Sequence, residues 1–234
     1  MALPQLNTAT YELELPSTGE TIKYRPFLVK EQKILMLAQE SEDDKQIEIA
    51  FSDIISTCTF EELSPYEMPL FDIEYVFLKL RGKSVGEKIT VNVLCPDDEK
   101  TRVDIDIDLK DVGVLMSDDH TNEIELTKDI KLIMKYPTLS DMTGFSEKGE
   151  VLSIFEMIKS CIIEIHSGED IHSSIDISSK ELDEFIGNMS TQNFEEVSKF
   201  FETMPKLQHV IKIKNPKTKK TGEVTLEGMQ SFFG

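Results

Sequence analysis

The sequence lacks three features that would place it in common classes of protein: a long apolar run, paired cysteines and an excess of basic residues. No stretch approaches the roughly 18 to 20 apolar residues that span a bilayer. Residues 1–10 have neither the basic start nor the apolar run of a secretory signal, so we expect the protein to remain in the compartment where it is made. Cys58, Cys95 and Cys161 are odd in number and far apart, which favours reduced thiols over a disulfide framework.

Basic residues are few relative to acidic ones. The chain has 25 Lys and Arg against 44 Asp and Glu, a formal net charge of −19. Such a charge repels phosphate backbones and acidic lipid headgroups, and therefore disfavours binding to nucleic acid or to a membrane surface. The hydrophobic fraction of 39% and the 13 phenylalanines are sufficient for a packed core, and 234 residues allow one large domain or two small ones.

The first 86 residues predict a hairpin followed by three helices. Apolar residues alternate over 11–15 and 21–25, on either side of a turn, as in two paired strands. Helical spacing begins at Leu28, and a second helix covers 47–58. The third helix is predicted to start at Ser64-Pro65-Tyr66-Glu67, which combines a capping box with proline at the first helical position.

The remainder predicts antiparallel strands, then helices, then a closing hairpin. Residues 89–93 and 103–109 alternate, as do 124–126 and 130–136. Six apolar residues are then spaced for one face of a helix of about four turns: they are Val151, Ile154, Phe155, Ile158, Ile162 and Ile165. Two shorter helices follow, the first opened by a Ser178 and Glu181 capping box and the second carrying Phe194 to Met204. A hairpin of residues 207–213 and 224–226 ends the pattern.

Strands and helices occur in blocks and do not alternate as in a parallel α/β sheet. The predicted fold class is therefore α+β, with antiparallel hairpins and short helical bundles in segregated elements. We expect three segments: residues 1–86 with the hairpin and three helices, 87–137 with a β-rich insert, and 138–234 with helices closed by the last hairpin.

No motif in the sequence supports catalysis, a cofactor or a metal. Arg81-Gly82-Lys83-Ser84 resembles the end of a phosphate-binding loop, but the first glycine of that loop would fall at Phe77, so we expect Gly82 to cap a helix. Asp104, Asp106 and Asp108 lack the remaining ligands of a calcium loop, and strand alternation places them about 7 Å apart as a solvated ladder. Cys95 has no second thiol at the spacing of a zinc site. We predict no catalytic, cofactor-binding or metal-binding residues.

A lysine-rich turn near the end is the one charged feature with two interpretations. The stretch from Lys206 to Lys220 contains six lysines, and the first acid after it is Glu223. The lysines are Lys206, Lys212, Lys214, Lys217, Lys219 and Lys220. The turn either faces water, as short lysine runs often do, or docks onto an acidic partner. In the second case the predicted partner-binding residues are Lys217, Lys219, Lys220, Phe232 and Phe233, with the phenylalanines as an anchor. The phenylalanines would otherwise fold back onto the hairpin.

Three segments resemble a known phage family. Tyr24–Ser41 (YRPFLVKEQKILMLAQES), Phe71–Glu87 (FDIEYVFLKLRGKSVGE) and Leu207–Phe233 are similar to the base plate hub assembly proteins of T-even-like myophages, in the same order. The resemblance implies a role in building the hub as a subunit or chaperone, through contacts with other hub or tail proteins and without a reaction or cofactor. It also implies the host cytoplasm as the location during assembly, with the virion base plate as a second location.

Other functions stay open from the residues alone. The chain could be an enzyme whose site assembles from separated residues such as His120, Glu164 and His166, or a generic acidic adaptor protein. It could also be a nucleic-acid-binding adaptor that uses the lysine-rich turn. The missing motifs weigh against an enzyme, and the net charge weighs against nucleic acid.

Overall fold

The computed structural model of the protein describes residues 7–142 and 150–233. Its contacts divide the chain into two units, of which the first joins Met1–Leu115 to Lys206–Gly234 and the second is Met116–Pro205. These units have different bounds from the segments expected at 1–86, 87–137 and 138–234. The reason is that the last hairpin pairs with a short strand at Gly113–Leu115, so both chain ends contribute to one unit.

The elements follow one another in small antiparallel sheets and short helices. In chain order they are β1 (Tyr11–Glu14), β2 (Thr21–Tyr24), α1 (Val29–Glu40), α2 (Asp44–Cys58), a 3-10 helix (Pro65–Glu67), α3 (Leu70–Val85), β3 (Lys88–Leu94), β4 (Arg102–Asp108), β5 (Gly113–Leu115), β6 (Glu123–Glu125), β7 (Ile130–Met134), α4 (Leu139–Met142), α5 (Glu150–Cys161), β8 (Ile162–Ser167), β9 (Asp170–Ser173), α6 (Ser179–Gly187), α7 (Thr191–Thr203), β10 (Lys206–Lys214), β11 (Thr221–Glu227) and α8 (Gln230–Phe233). This is the α+β fold that the sequence predicts.

The strands of the first unit form where the sequence alternates. β1 pairs with β2, β3 pairs with β4, and β10 lies between β11 and β5. The register places Val91 opposite Ile105, and alternate residues of β3 face the core. Leu78 of α3 and Leu207 of β10 are buried in the same core. α3 therefore rests on strands from both segments of the chain that form this unit.

The third helix starts later than predicted. Residues Pro65–Glu67 form only a short 3-10 helix, and the side chain of Ser64 makes no capping hydrogen bond. Met68 is extended, with ψ 149°, and α3 begins at Leu70 after Pro69. The cause is the second proline, because a residue that precedes proline is disfavoured in the helical conformation.

The same helix also ends later than predicted. Gly82 does not cap it, since the helix continues to Val85 and its C-cap is Gly86. Gly86 has φ 135°, a conformation that L side chains rarely adopt and that glycine adopts freely. The choice between the two glycines depends on backbone conformation, which residue type alone does not specify.

The second unit contains a sheet in the order β6-β7-β8-β9 with helices packed on it. The long helix predicted through Ile165 is wrong: α5 ends at Cys161, and Ile162 starts β8. Ile165 lies opposite Leu132 of β7. The β-branched residues of β8 suit a strand, and pairing with β7 and β9 outweighs the helical spacing. The Ser178 capping box is confirmed, with Ser178 Oγ accepting from the Glu181 amide.

Candidate protein-binding surfaces

An apolar groove opens in the first unit between α1, α2 and α3. Its volume is about 370 Å³. The side chains that form most of its wall are apolar: Phe27, Leu35, Met36, Ile47, Phe51 and Phe77. Val85 and Met229, which precedes α8, also line it. Large concave apolar surfaces of this kind are typical of sites that bind another molecule.

The outer side of α1 extends the apolar surface beyond the groove. Val29 is 81% exposed, Met36 55% and Leu37 54%. The side of α1 that faces the protein holds Glu31 and Ala38, both buried. Apolar residues that a helix leaves in water are usual at surfaces that bind partners. α1 is therefore the strongest candidate among the described helices of this unit for contact with another protein.

Glu31 fixes the start of α1. One oxygen, Oε2, accepts from the backbone amide of Leu28 at 2.7 Å, and Oε1 accepts from Arg25 Nη2 at 2.9 Å. The backbone amide of Arg25 in turn donates to the carbonyl of Cys58 at the end of α2, at 2.9 Å. Burial alone would raise the pKa of Glu31, but the hydrogen bonds from Arg25 and Leu28 outweigh it and hold the pKa below its usual value. This network holds α1 in the position in which its apolar residues reach the solvent.

The lining of the groove includes one charged side chain. Among the described residues that line it, Arg81 is the one charged side chain, and Gln32 and Gln39 are the polar ones. Arg81 Nη1 donates to the carbonyl of Gly86 at 3.4 Å. A partner that places a carboxylate near Arg81 would complement this charge.

The lysine-rich turn joins β10 to β11 and is ordered by Asn215. Asn215 is 1% exposed; its Oδ1 accepts from the Lys217 amide at 2.8 Å, and its Nδ2 donates to Asp97 Oδ1 at 2.9 Å. Lys217, Lys219 and Lys220 are exposed, and no carboxylate of the described residues lies within ion-pair distance of them. The predicted lysines therefore share one solvent-facing turn.

Phe232 does not lie with those lysines. It is 4% exposed and belongs to the core formed by α3 and the strands of the first unit. To anchor a partner it would have to leave that core. Phe233 is the last residue of α8. The side chain of Phe233 lies outside the described part of the structure. The turn and Phe232 are thus separate features.

His120 and the Glu164–His166 pair, which form the alternative enzyme site, make different contacts. His120 Nδ1 lies 2.9 Å from Thr203 Oγ1, and its ring stacks on Tyr136 with centroids 5.5 Å apart. Glu164 Oε2 and His166 Nε2 are 2.7 Å apart on β8. The three acids of β4 remain a ladder, in which Asp106 accepts from Thr90 of β3. Within 7–142 and 150–233, no three His, Cys, Asp or Glu side chains are grouped to hold a metal ion.

Comparison with known proteins identifies the family. Residues 8–234 match the family described as T4 bacteriophage base plate protein. The chain belongs to this family. No curated protein and no solved structure matches it. No described helix of this base plate protein has the length and apolar character needed to cross a membrane.

The groove of the base plate protein was not predicted from the sequence, although one run of apolar residues indicates an exposed apolar surface. Residues 34–38 are five consecutive apolar residues, Ile-Leu-Met-Leu-Ala. An α-helix has about 3.6 residues per turn, so five in succession surround it completely and cannot all face one core. Some of α1 must then be exposed or covered by a partner. Which residues are exposed depends on how α1 packs against α2.

The lysine-rich turn supports one prediction for the base plate protein. Reversing Lys217, Lys219 and Lys220 to Glu should slow association with an acidic partner protein and weaken the salt dependence of that rate. Stability should change by about 0.5 kcal/mol or less per site, because the side chains are exposed. Association rates measured at several salt concentrations test this. A triple variant with the wild-type rate and salt dependence would show that the turn is only solvated.

Proposed function

We propose that this base plate protein is a non-enzymatic hub subunit or hub assembly factor, which binds an amphipathic helix of another hub or tail protein in the apolar groove. The observation that carries the proposal is the position of the groove in the chain. The segments that resemble hub assembly proteins, Tyr24–Ser41, Phe71–Glu87 and Leu207–Phe233, contain all the lining residues except Ile47 and Phe51. Most of the groove lining therefore comes from the segments that carry the resemblance.

An amphipathic helix is the occupant that the lining favours. Helices α1, α2 and α3 supply most of the wall, so the groove presents no sheet edge to which an added strand could bond. A helix in such a groove places apolar residues at positions i, i+3, i+4 and i+7 against the wall. Met36, which is flexible and 55% exposed, can adapt to those side chains. An acidic residue of the same helix would face Arg81.

The test is binding between the purified chain and the hub and tail proteins of the same phage, each produced separately. Met36→Glu places a carboxylate at the groove, where an apolar helix would have to desolvate it. We expect it to weaken binding by about 2 kcal/mol or more, roughly thirtyfold. The matched control is Met116→Glu, since Met116 is 58% exposed and does not line the groove. It should bind as the wild type does.

Three outcomes would overturn the proposal. Equal affinities of the two variants for a hub protein would place the interface outside the groove. A wild-type chain that binds none of the hub proteins would contradict the hub assignment. Native mass spectrometry that shows a dimer of this chain, lost in Met36→Glu, would make a second copy the occupant.

A further inference from the structure

Three lysines surround a small cleft on the side of α3 that lies away from the groove. Lys79 and Lys83 come from α3, and Lys110 follows β4. The cleft has a volume of about 190 Å³, and the buried residues Tyr24, Leu78, Gly82 and Leu109 line it. A small concave site with an apolar floor and a cationic rim is unusual in a chain of net charge −19.

Glu87 neutralises only part of this charge. Its Oε1 lies 2.6 Å from Lys83 Nζ and its Oε2 lies 2.5 Å from Lys110 Nζ. The two hydrogen bonds, of which the one from Lys110 contributes most, lower the pKa of Glu87 to about 2. Both oxygens are therefore occupied, and three ammonium groups meet one carboxylate. Among the residues that line the cleft, two positive charges remain in excess.

Lys79 is the ammonium group that lacks a carboxylate. It is half-buried, and its Nζ lies 4.7 Å from the centroid of the Tyr75 ring. No carboxylate of residues 7–142 and 150–233 lies within ion-pair distance of it. Burial, with a smaller contribution from the charge of Lys83, lowers the pKa of Lys79. A carboxylate that entered the cleft would favour the charged form of Lys79 and so offset the effects of burial and of the Lys83 charge.

A larger neighbouring cleft does not offer the same environment. It shares Lys79 and Lys110 and has a volume of about 450 Å³, but Glu14 and Asp111 also line it. The lining of that cleft therefore contains as many acids as lysines. An anionic group is therefore better accommodated in the smaller cleft beside Gly82.

We propose that the cleft of Lys79, Lys83 and Lys110 binds an acidic side chain from an extended acidic segment of a partner protein. This site is distinct from the groove and does not depend on it, because Phe77 and Arg81 face the groove while Lys79 and Lys83 face the cleft. The carboxylate would pair with Lys79 and share Lys83 and Lys110 with Glu87. The carbon stem of the acidic residue would lie on Leu78 and Leu109.

The probe is a fluorescein-labelled hexaglutamate peptide, whose binding to the full chain is measured by fluorescence polarisation. At about 0.15 M salt the screening length is about 8 Å, so the charges of the cleft act on the peptide while most of the remaining negative charge is screened. Lys79→Met keeps an unbranched apolar stem on Tyr75 but removes the ammonium group. We expect it to weaken binding roughly tenfold or more.

The matched control is Lys180→Met, which makes the same change of charge at a side chain that is 87% exposed on α6. It should alter the affinity by less than roughly twofold. Equal weakening by the two substitutions would reduce the effect to net charge and overturn the proposal. So would a wild-type chain that fails to bind hexaglutamate, or that binds hexaserine equally well.

Two further measurements complete the test. Citrate that binds as tightly as the peptide, and competes with it, would show a site for small carboxylates and contradict the assignment to a protein segment. Lys110→Met serves if Lys79→Met fails to fold, since the side chain of Lys110 is 64% exposed. It should also weaken peptide binding, and an unchanged affinity would count against the cleft.

Discussion

Leu80→Ala should lower the free energy of unfolding by about 2 to 5 kcal/mol, because it leaves a cavity in a core that cannot fully close around it. Leu80 is 0% exposed and lies on α3 one turn from Phe77. The helix lines both the groove and the lysine cleft, so its packing supports both surfaces. Urea denaturation followed by far-ultraviolet circular dichroism measures the change.

Val85→Ala is the control for this substitution. Val85 lies on the same helix but is 58% exposed, so its truncation should cost about 0.5 kcal/mol or less beyond the change in helix propensity. A Leu80→Ala protein with the midpoint and slope of the wild type would mean that this side of α3 is not a core. The slope is that of the free energy of unfolding against urea concentration. It matters because a change in it would indicate an altered denatured state.

Glu31→Ala should destabilise the first unit by about 2 to 4 kcal/mol, since it leaves a largely buried guanidinium group and a helix-start amide without their acceptor. The side chain of Arg25 is only 14% exposed and that of Glu31 only 4%. Glu31→Gln should cost less, because it keeps an acceptor for the Leu28 amide. Loss of the network should also weaken the binding of a helix in the groove, since α1 forms one wall of it.

Glu40→Ala is the matched control, because Glu40 ends the same helix and is exposed. Removing an acid at the C-terminus of a helix is neutral or slightly stabilising. Similar stabilities of the Glu31→Ala and Glu40→Ala proteins would show that the network around Arg25 contributes nothing. Thermal and urea unfolding at neutral pH distinguish the two results.

The pKa of Glu31 gives this difference a pH dependence. Because the folded state holds the pKa below its usual value of 4.5, the carboxylate contributes stability that is present above about that pH. The contribution is lost as the pH falls through the lowered pKa and the group is protonated in both states. The gap between the wild type and Glu31→Ala should therefore narrow in acid. A gap that widens there would contradict the assigned direction.

The local sequence pattern was sufficient to predict an element where residues within that element determine its structure. Alternation predicted β3 and β4, and their pairing places Val91 opposite Ile105. The Ser178 capping box predicted the start of α6, since a cap needs only residues within one turn. The pattern gave the wrong element where other contacts or residues outweigh it. Ile162 and Ile165 have helical spacing but pair with β7 in a strand. Ser64 has a capping signal, but Pro69 delays the start of α3.

The sequence by itself determined the α+β class, most of the elements, the exclusion of the usual catalytic motifs and the charge of −19. It also carried the resemblance to phage hub proteins. Only the tertiary structure decided which apolar residues face water, because exposure depends on what packs against each side of a helix. It left Met36 on the outside, buried Phe232, and brought Lys110 to Lys79 and Lys83 of α3. Surfaces of this kind join residues that are distant in sequence, and no local periodicity specifies them.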